Sequence, residues 1–125
     1  MKPTNVVAAI ILKRNLYLIA KRNRNKHLGL KWEFPGGKVE KNENFHEALT
    51  REIHEELNII INVQSKITEE NYKDNKINVI IHYYLCSLKQ GKVKLSEHED
   101  CAWVKKNDFY LYDFVEGDKN ILFLI

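Results

Sequence analysis

Between Asn44 and Asn58 lies a predicted helix whose charge pattern works against it. Asn44, followed three residues later by Glu47, has the spacing of a capping box. Leu49, Ile53 and Leu57 fall on one stripe, with Phe45 and Ala48 flanking it. Asn58 stands where a helix closes in a left-handed residue, a place where Gly is preferred and Asn is second choice. On this helix Glu52 and Glu56 lie almost above one another, and Glu55 adjoins Glu52 one ridge away. Three carboxylates therefore share one patch. Like charges at these spacings repel. Two of them stand in the last turn, where the macrodipole disfavours an anion by roughly 0.3–1 kcal/mol each. A bound divalent cation removes both objections. Oxygen donors without His or Cys point to Mg²⁺, with Mn²⁺ also possible. The plainer reading of an isolated REIHEEL is a solvated face with Glu47–Arg51 and Arg51–Glu55 pairs.

The rest of the chain predicts what surrounds this helix. Val6–Leu12 and Leu16–Ala20 are apolar runs separated by Lys13-Arg14-Asn15, a β-hairpin pattern. Residues 23–31 are polar and basic and read as a loop. Trp32-Glu33-Phe34 is a short strand that Pro35-Gly36-Gly37 stops, the two glycines allowing positive φ or close approach. Beyond the helix, residues 59–67 and 76–88 read as strands around an Asp74-Asn75 turn. Val93–Leu95 and Ala102-Trp103-Val104 follow as strands, and residues 108–125 as one or two short helices with Asp118 capping the last. The sum is one α+β domain over residues 1–125. With 125 residues, 44% of them hydrophobic, the chain is the size of one ordinary domain with a real core. Its longest apolar run, Val6 to Leu12, has seven residues against the roughly twenty of a membrane helix. No charged-then-apolar stretch ending in small residues signals secretion, so none is expected, and Cys86 and Cys101 make neither a disulfide framework nor a zinc site. A reduced, cytoplasmic protein is expected.

The net charge of +3 hides a segregation. Residues 1–32 hold eight Lys and Arg and no acid, so the other 93 residues sum to −5. A scattered surface charge would leave this without meaning. An anionic ligand on the basic part and a cation on the acidic part would give it one.

From Gly37 to Ile59 the chain reads GKVEKNENFHEALTREIHEELNI, which resembles the Nudix box. Gly37, Glu43, Arg51, Glu52, Ile53, Glu55, Glu56 and Ile59 stand at its positions, and the single departure is Asn58 for Gly. Chance agreement at the six most specific positions has odds on the order of one in ten million per start at average residue usage. WEFPGGKVE, leading into the box, is similar to the MutT-like branch. The resemblance implies a mixed, partly rolled β-sheet flanked by helices, with the box as loop–helix–loop. It implies Mg²⁺-dependent hydrolysis of (deoxy)nucleoside triphosphates to monophosphate and pyrophosphate, of the 8-oxo-dGTP type, with CTP or dCTP as the alternative. A non-catalytic nucleotide-sensing or RNA-binding module is the competing class, one that typically loses the carboxylates kept here.

By the same resemblance, Glu52, Glu55 and Glu56 hold the metal together with the Gly37 carbonyl and Glu97. Glu52, Glu55, Glu97 and Arg51 form the catalytic set, with Glu97 and Glu52 rival bases. Glu43 pairs with Arg51 to brace the loop on the helix, and Asn58 ends the box. His98, beside Glu97, could tune the site, though a lone loop histidine is more often a solvated bystander. Arg22 and His27 match positions that bind substrate phosphates, where a guanidinium fork suits phosphate oxygens. Phe34, Tyr83 and Asp118 are candidates for the base pocket. Nucleic acid is not an expected partner, because the basic loop lacks interleaved aromatics. The oligomeric state is open between monomer and homodimer.

Overall fold

The first apolar run becomes β1 (Thr4–Lys13), and a computed structural model describing residues 2–125 shows why it is apolar throughout. Val7, Ala9 and Ile11 enter one core, while Ala8 and Ile10 enter a second on the opposite face. A strand covered on both sides needs no polar alternation.

The remaining strands are β2 (Leu16–Lys21), β3 (Trp32–Glu33), β4 (Gly36–Lys38), β5 (Ile60–Lys73), β6 (Asn78–Gln90) and β7 (Asp100–Val104). β1 runs parallel to β6 from the Thr4–Val79 pair to the Ile11–Cys86 pair. β4 pairs antiparallel with its other edge at Val6–Ala8. The hairpin with β2 is real but brief, since only Leu12 and Lys13 pair across it. The strand order is β3-β2-β1-β6-β5, with β4 beside β1 and β7 beside β2. This is the expected α+β arrangement: a mixed sheet that rolls without closing.

The helix α1 (Phe45–Leu57) covers one face and buries Ala48, Leu49, Ile53 and Leu57 against Val7, Ala9 and Ile11. Both halves of its capping box form, between Asn44 and Glu47, and Asn58 closes it at φ 58°. The opposite face is covered by three 3₁₀ turns, Lys106–Leu111, Glu116–Asp118 and Ile121–Phe123. No helix among the described residues is long and apolar enough to cross a membrane.

Four local expectations are corrected. Val93–Leu95 is not a strand, because its backbone is taken up at the end of α1. Pro35-Gly36-Gly37 does not end the sheet; Gly36 opens β4, and neither glycine uses a positive φ. Close approach is what excludes a side chain there. A Cβ on Gly36 would lie 1.8 Å from the Val7 carbonyl oxygen. Finally, Asp118 ends a 3₁₀ turn and caps nothing after it; the last turn has no side-chain cap.

Candidate active site

Glu52, Glu55 and Glu56 project from the last two turns of α1, and Arg51 organises them. Its Nη2 and Nε grip both oxygens of Glu43 at 2.6 and 3.0 Å, a bidentate pair. Nη1 donates to Glu52 at 2.8 Å and to Glu55 at 3.3 Å, and Nη2 reaches the Lys38 carbonyl at 3.1 Å. One guanidinium thus fixes the box loop, β4 and two carboxylates. It also holds the Glu43 carboxyl below its ordinary range. β4 brings Gly37 against the helix so closely that a Cβ there would meet the Glu52 carboxylate at 2.3 Å.

Glu56 is in a different situation. It is half-buried beside Glu52, and no cation pairs with it at short range. Burial first, then hydrogen bonding and repulsion with Glu52, push its carboxyl up to about 9. Its Oε2 is buried without a hydrogen-bond partner. Buried carboxylate oxygens are normally satisfied.

The loop between β6 and β7 is tied to the end of this helix. The Lys94 and Ser96 N–H groups donate to the Leu57 and Glu56 carbonyls at 2.9 and 3.0 Å, two carbonyls the helix itself leaves open. The Asn58 amide donates to the Lys94 carbonyl at 2.6 Å and to Ser96 Oγ at 3.2 Å. This docking places Glu97 and His98 at the carboxylate patch. Glu97 is half exposed and paired with Lys26 at 2.8 Å, which lowers its carboxyl. His98 is not solvated: its side chain is 6% exposed, and Nε2 bonds Glu33 Oε2 at 2.9 Å.

The basic loop faces this patch across a cleft of about 680 Å³. That is ample for a nucleotide. Arg22 lines it, with Nη1 on Glu33 at 2.7 Å and Nε on the His27 carbonyl at 2.9 Å. His27 Nε2 meets Asp74 Oδ2 at 2.7 Å, so the β5–β6 turn fastens the loop. The charge segregation of the sequence does not persist in space. Arg22 pairs with Glu33, Arg24 with Glu99, Lys26 with Glu97 and Lys31 with Asp113.

At the apolar end of the cleft, Phe34 stacks on Phe114 and Asp118 forms part of the wall. Asp118 accepts from the Phe34 N–H at 2.9 Å and from the Tyr83 hydroxyl. Burial drives its carboxyl up to about 7 against these two bonds. Tyr83 is fully buried behind Asp118 and does not reach the cleft. Tyr72, which the sequence reading passed over, does line it. Glu33 was also missed. It reads as an ordinary strand residue, and only its place in WEFPGGK could have marked it.

Among the described residues no three His, Cys, Asp or Glu side chains converge on a single point. Arg51 holds Glu52, and Lys26 holds Glu97. The donors still fit a hard divalent cation. They are oxygens, they crowd one another, and the unpartnered Glu56 Oε2 faces them from within the helix patch.

The family model described as NUDIX domain matches residues 1–125. The chain is 32% identical over 122 residues to the 8-oxo-dGTP diphosphatase of Buchnera aphidicola subsp. Schizaphis graminum, covering 98% of this chain and 92% of that protein. It is 30% identical to the CTP pyrophosphohydrolase of Escherichia coli K12, covering 98% and 90%. The solution NMR structure of the MutT protein (family Nudix hydrolase) from methicillin-resistant Staphylococcus aureus 252 superposes with a TM-score of 0.76 at 36% identity, over 97% of this chain and 93% of that one.

Proposed function

Because the chain belongs to the NUDIX domain family, we propose that it is a nucleoside triphosphate diphosphatase, releasing monophosphate and pyrophosphate with a divalent cation, Mg²⁺ in particular. One observation carries the reading. The Glu52, Glu55 and Glu56 patch and the guanidinium of Arg22 line the same cleft, as cation and phosphate sites of one reaction must. The oxygen-only donor set favours Mg²⁺, with Mn²⁺ as a substitute.

A divalent cation held in this patch would supply the charge that neutralises phosphate oxygens and makes water a better nucleophile. The chain's own residues do the rest. Glu52, Glu55 and Glu56, with Gly37 and Glu97, hold the cation. Arg22 and His27 take phosphate oxygens, and Arg22 does so by exchanging part of its bond to Glu33. Arg51 keeps Glu52 and Glu55 aimed, and Glu43 keeps Arg51. Glu97 or Glu52 accepts the proton from the attacking water. Phe34 and Asp118 hold the base, and Tyr83 holds Asp118. The whole site belongs to one domain over residues 1–125, working in the cytoplasm as a monomer or homodimer, without nucleic acid as partner. An oxidised purine triphosphate of the 8-oxo-dGTP type is the first substrate proposed. CTP is the second, supported by the E. coli relative.

The test is a panel of all ribo- and deoxynucleoside triphosphates plus 8-oxo-dGTP, with Mg²⁺, followed by phosphate-species chromatography. Pyrophosphate and monophosphate should appear together. Tight nucleotide binding with no turnover would instead make this a sensing module.

A further inference from the structure

Two buried polar atoms face each other at the edge of the carboxylate patch. Glu56 Oε2 and His98 Nδ1 lie 3.9 Å apart, and neither has a hydrogen-bond partner. Glu33 determines which His98 nitrogen is which. Its Oε2 accepts from Nε2 at 2.9 Å, so in the neutral ring Nε2 carries the hydrogen and Nδ1 presents a lone pair. The other oxygen, Oε1, accepts from Arg22 Nη1 at 2.7 Å. A chain therefore runs from Arg22, on the phosphate side, through Glu33 and His98 to Glu56, on the cation side. Its side chains are 25, 15, 6 and 12% exposed.

We propose that His98, oriented by Glu33, is a positioning residue of the cation site: Nδ1 accepts a hydrogen from a water that also bonds Glu56. The 3.9 Å spacing suits a single bridge, and because neither atom is open to solvent in the metal-free protein, the bridge forms only when the cation opens the pair. A water at ~2.8 Å from both atoms subtends roughly 90° between them, close to the angle between its own two hydrogens. Such a water would give both hydrogens to protein acceptors and leave its oxygen free for a cation held by the carboxylates. A hard cation in an oxygen site keeps several waters, and groups that orient them sustain its affinity. Because Glu33 also holds Arg22, a phosphate that draws Arg22 away changes the partner that orients His98. The proposal rests on the metal-dependent reading above.

The test titrates Mn²⁺ into the nucleotide-free full chain by calorimetry, comparing wild type with His98→Asn, His98→Gln and Glu33→Gln, with thermal melts in parallel. An Asn oxygen falls where Nδ1 stood; a Gln amide falls where Nε2 stood. His98→Asn should stay within about fivefold of wild type for Mn²⁺, whereas His98→Gln should lose about tenfold to a hundredfold. Glu33→Gln should fall between them. A merely structural histidine would rank the variants by melting temperature instead. Equal Mn²⁺ affinities, or Gln outperforming Asn, overturn the proposal. Turnover is measured on the same proteins. Hydrolysis by wild type with a flat Mn²⁺ series overturns this inference alone. The expected Mn²⁺ order without wild-type hydrolysis overturns the proposed function and leaves this inference standing.

Discussion

The side-chain amide of Asn58 donates to the Lys94 carbonyl at 2.6 Å from a backbone held at φ 58°. The Nudix box that this chain resembles carries Gly at that position, where only the left-handed backbone is required. Asn accepts the same backbone at modest cost. It then adds what Gly cannot: a tether from the end of α1 to the loop bearing Glu97 and His98. A departure from the family pattern is thus a connection between two halves of the site.

Replacing Asn58 separates the two roles. Asn58→Gly relaxes the backbone but removes the bonds to Lys94 and Ser96, so stability should change by no more than about 1 kcal/mol. Asn58→Ala loses the bonds and keeps the strain, costing about 1–2 kcal/mol. Both should lower kcat by more than they raise KM, because the Glu97 loop is less well placed. Denaturant melts and steady-state kinetics check this; an unchanged kcat in Asn58→Gly would show the tether to be structural only.

How much of this was legible depended on range. The helix, its cap, its left-handed end and its acid cluster are local patterns, and each stands where the periodicity puts it. The parallel β1–β6 pairing joins residues 75 apart, and nothing in either segment names its partner. Val93–Leu95 has a strand's composition, yet the Lys94 N–H is spent on the Leu57 carbonyl and the Lys94 carbonyl on the Asn58 amide, a demand visible only once the helix end is in place. The basic loop looked unopposed because Glu33, Glu97, Glu99 and Asp113 reach it from elsewhere in the chain. His98 looked solvated because burial by a docked loop leaves no mark in a five-residue polar stretch.

The adjacent glycines should fail differently. A Cβ on Gly36 meets backbone, the Val7 carbonyl oxygen and the Ala8 Cα, and β1 cannot move aside. Gly36→Ala should cost about 3 kcal/mol. A Cβ on Gly37 meets first the end of the Glu52 side chain, which yields more easily than backbone once its bond to Arg51 breaks. Gly37→Ala should cost about 1 kcal/mol or less in stability while displacing Glu52 and lowering kcat by about a hundredfold or more. Equal destabilisation in both would contradict the steric assignment.

Glu56 makes cation binding depend on pH. In the metal-free protein its carboxyl is pushed up to about 9, from an ordinary 4.5, mainly by burial. An acid with a raised folded pKa keeps its full stability contribution below pH 4.5 and loses it progressively as pH rises through 9. A cation must displace that proton, so apparent Mg²⁺ affinity should rise with pH until about 9 and then level off. Calorimetry in two buffers of different ionisation enthalpy should register proton release. Glu56→Gln, which cannot ionise, should melt at least as high as metal-free wild type at pH 8, by about 1 kcal/mol or more, and lose at least a hundredfold in activity. Retained turnover in Glu56→Gln with Mg²⁺ present would remove Glu56 from the cation site.

Asp118 offers the most discriminating substitution, because its hydrogen bonds allow an isosteric exchange. The carboxylate accepts from the Phe34 N–H and from the Tyr83 hydroxyl, and that hydroxyl also lies 2.9 Å from the Gly117 carbonyl. In Asp118→Asn the amide oxygen can keep the Phe34 bond. The amide N–H can donate to the Tyr83 oxygen, and the hydroxyl hydrogen can turn fully to Gly117. The Phe34, Tyr83 and Gly117 groups all stay satisfied, and the second amide hydrogen is left to the cleft, so the fold should tolerate the change. The wild-type carboxyl is pushed up to about 7 by burial, so its folded pKa exceeds the ordinary 3.8. Relative to Asn, wild type should therefore lose stability between pH 3.8 and 7, and the two melting temperatures should differ by a constant amount above that window. Specificity reads the other role. If Asp118 faces the nucleobase, exchanging an acceptor for a donor in the cleft should change the ratio of kcat/KM between 8-oxo-dGTP and CTP by tenfold or more, about 1.4 kcal/mol. A pH-dependent stability gain with an unchanged substrate ranking would assign Asp118 to the support of Phe34 and Tyr83, and place base selection on Tyr72 and the opposite wall of the cleft.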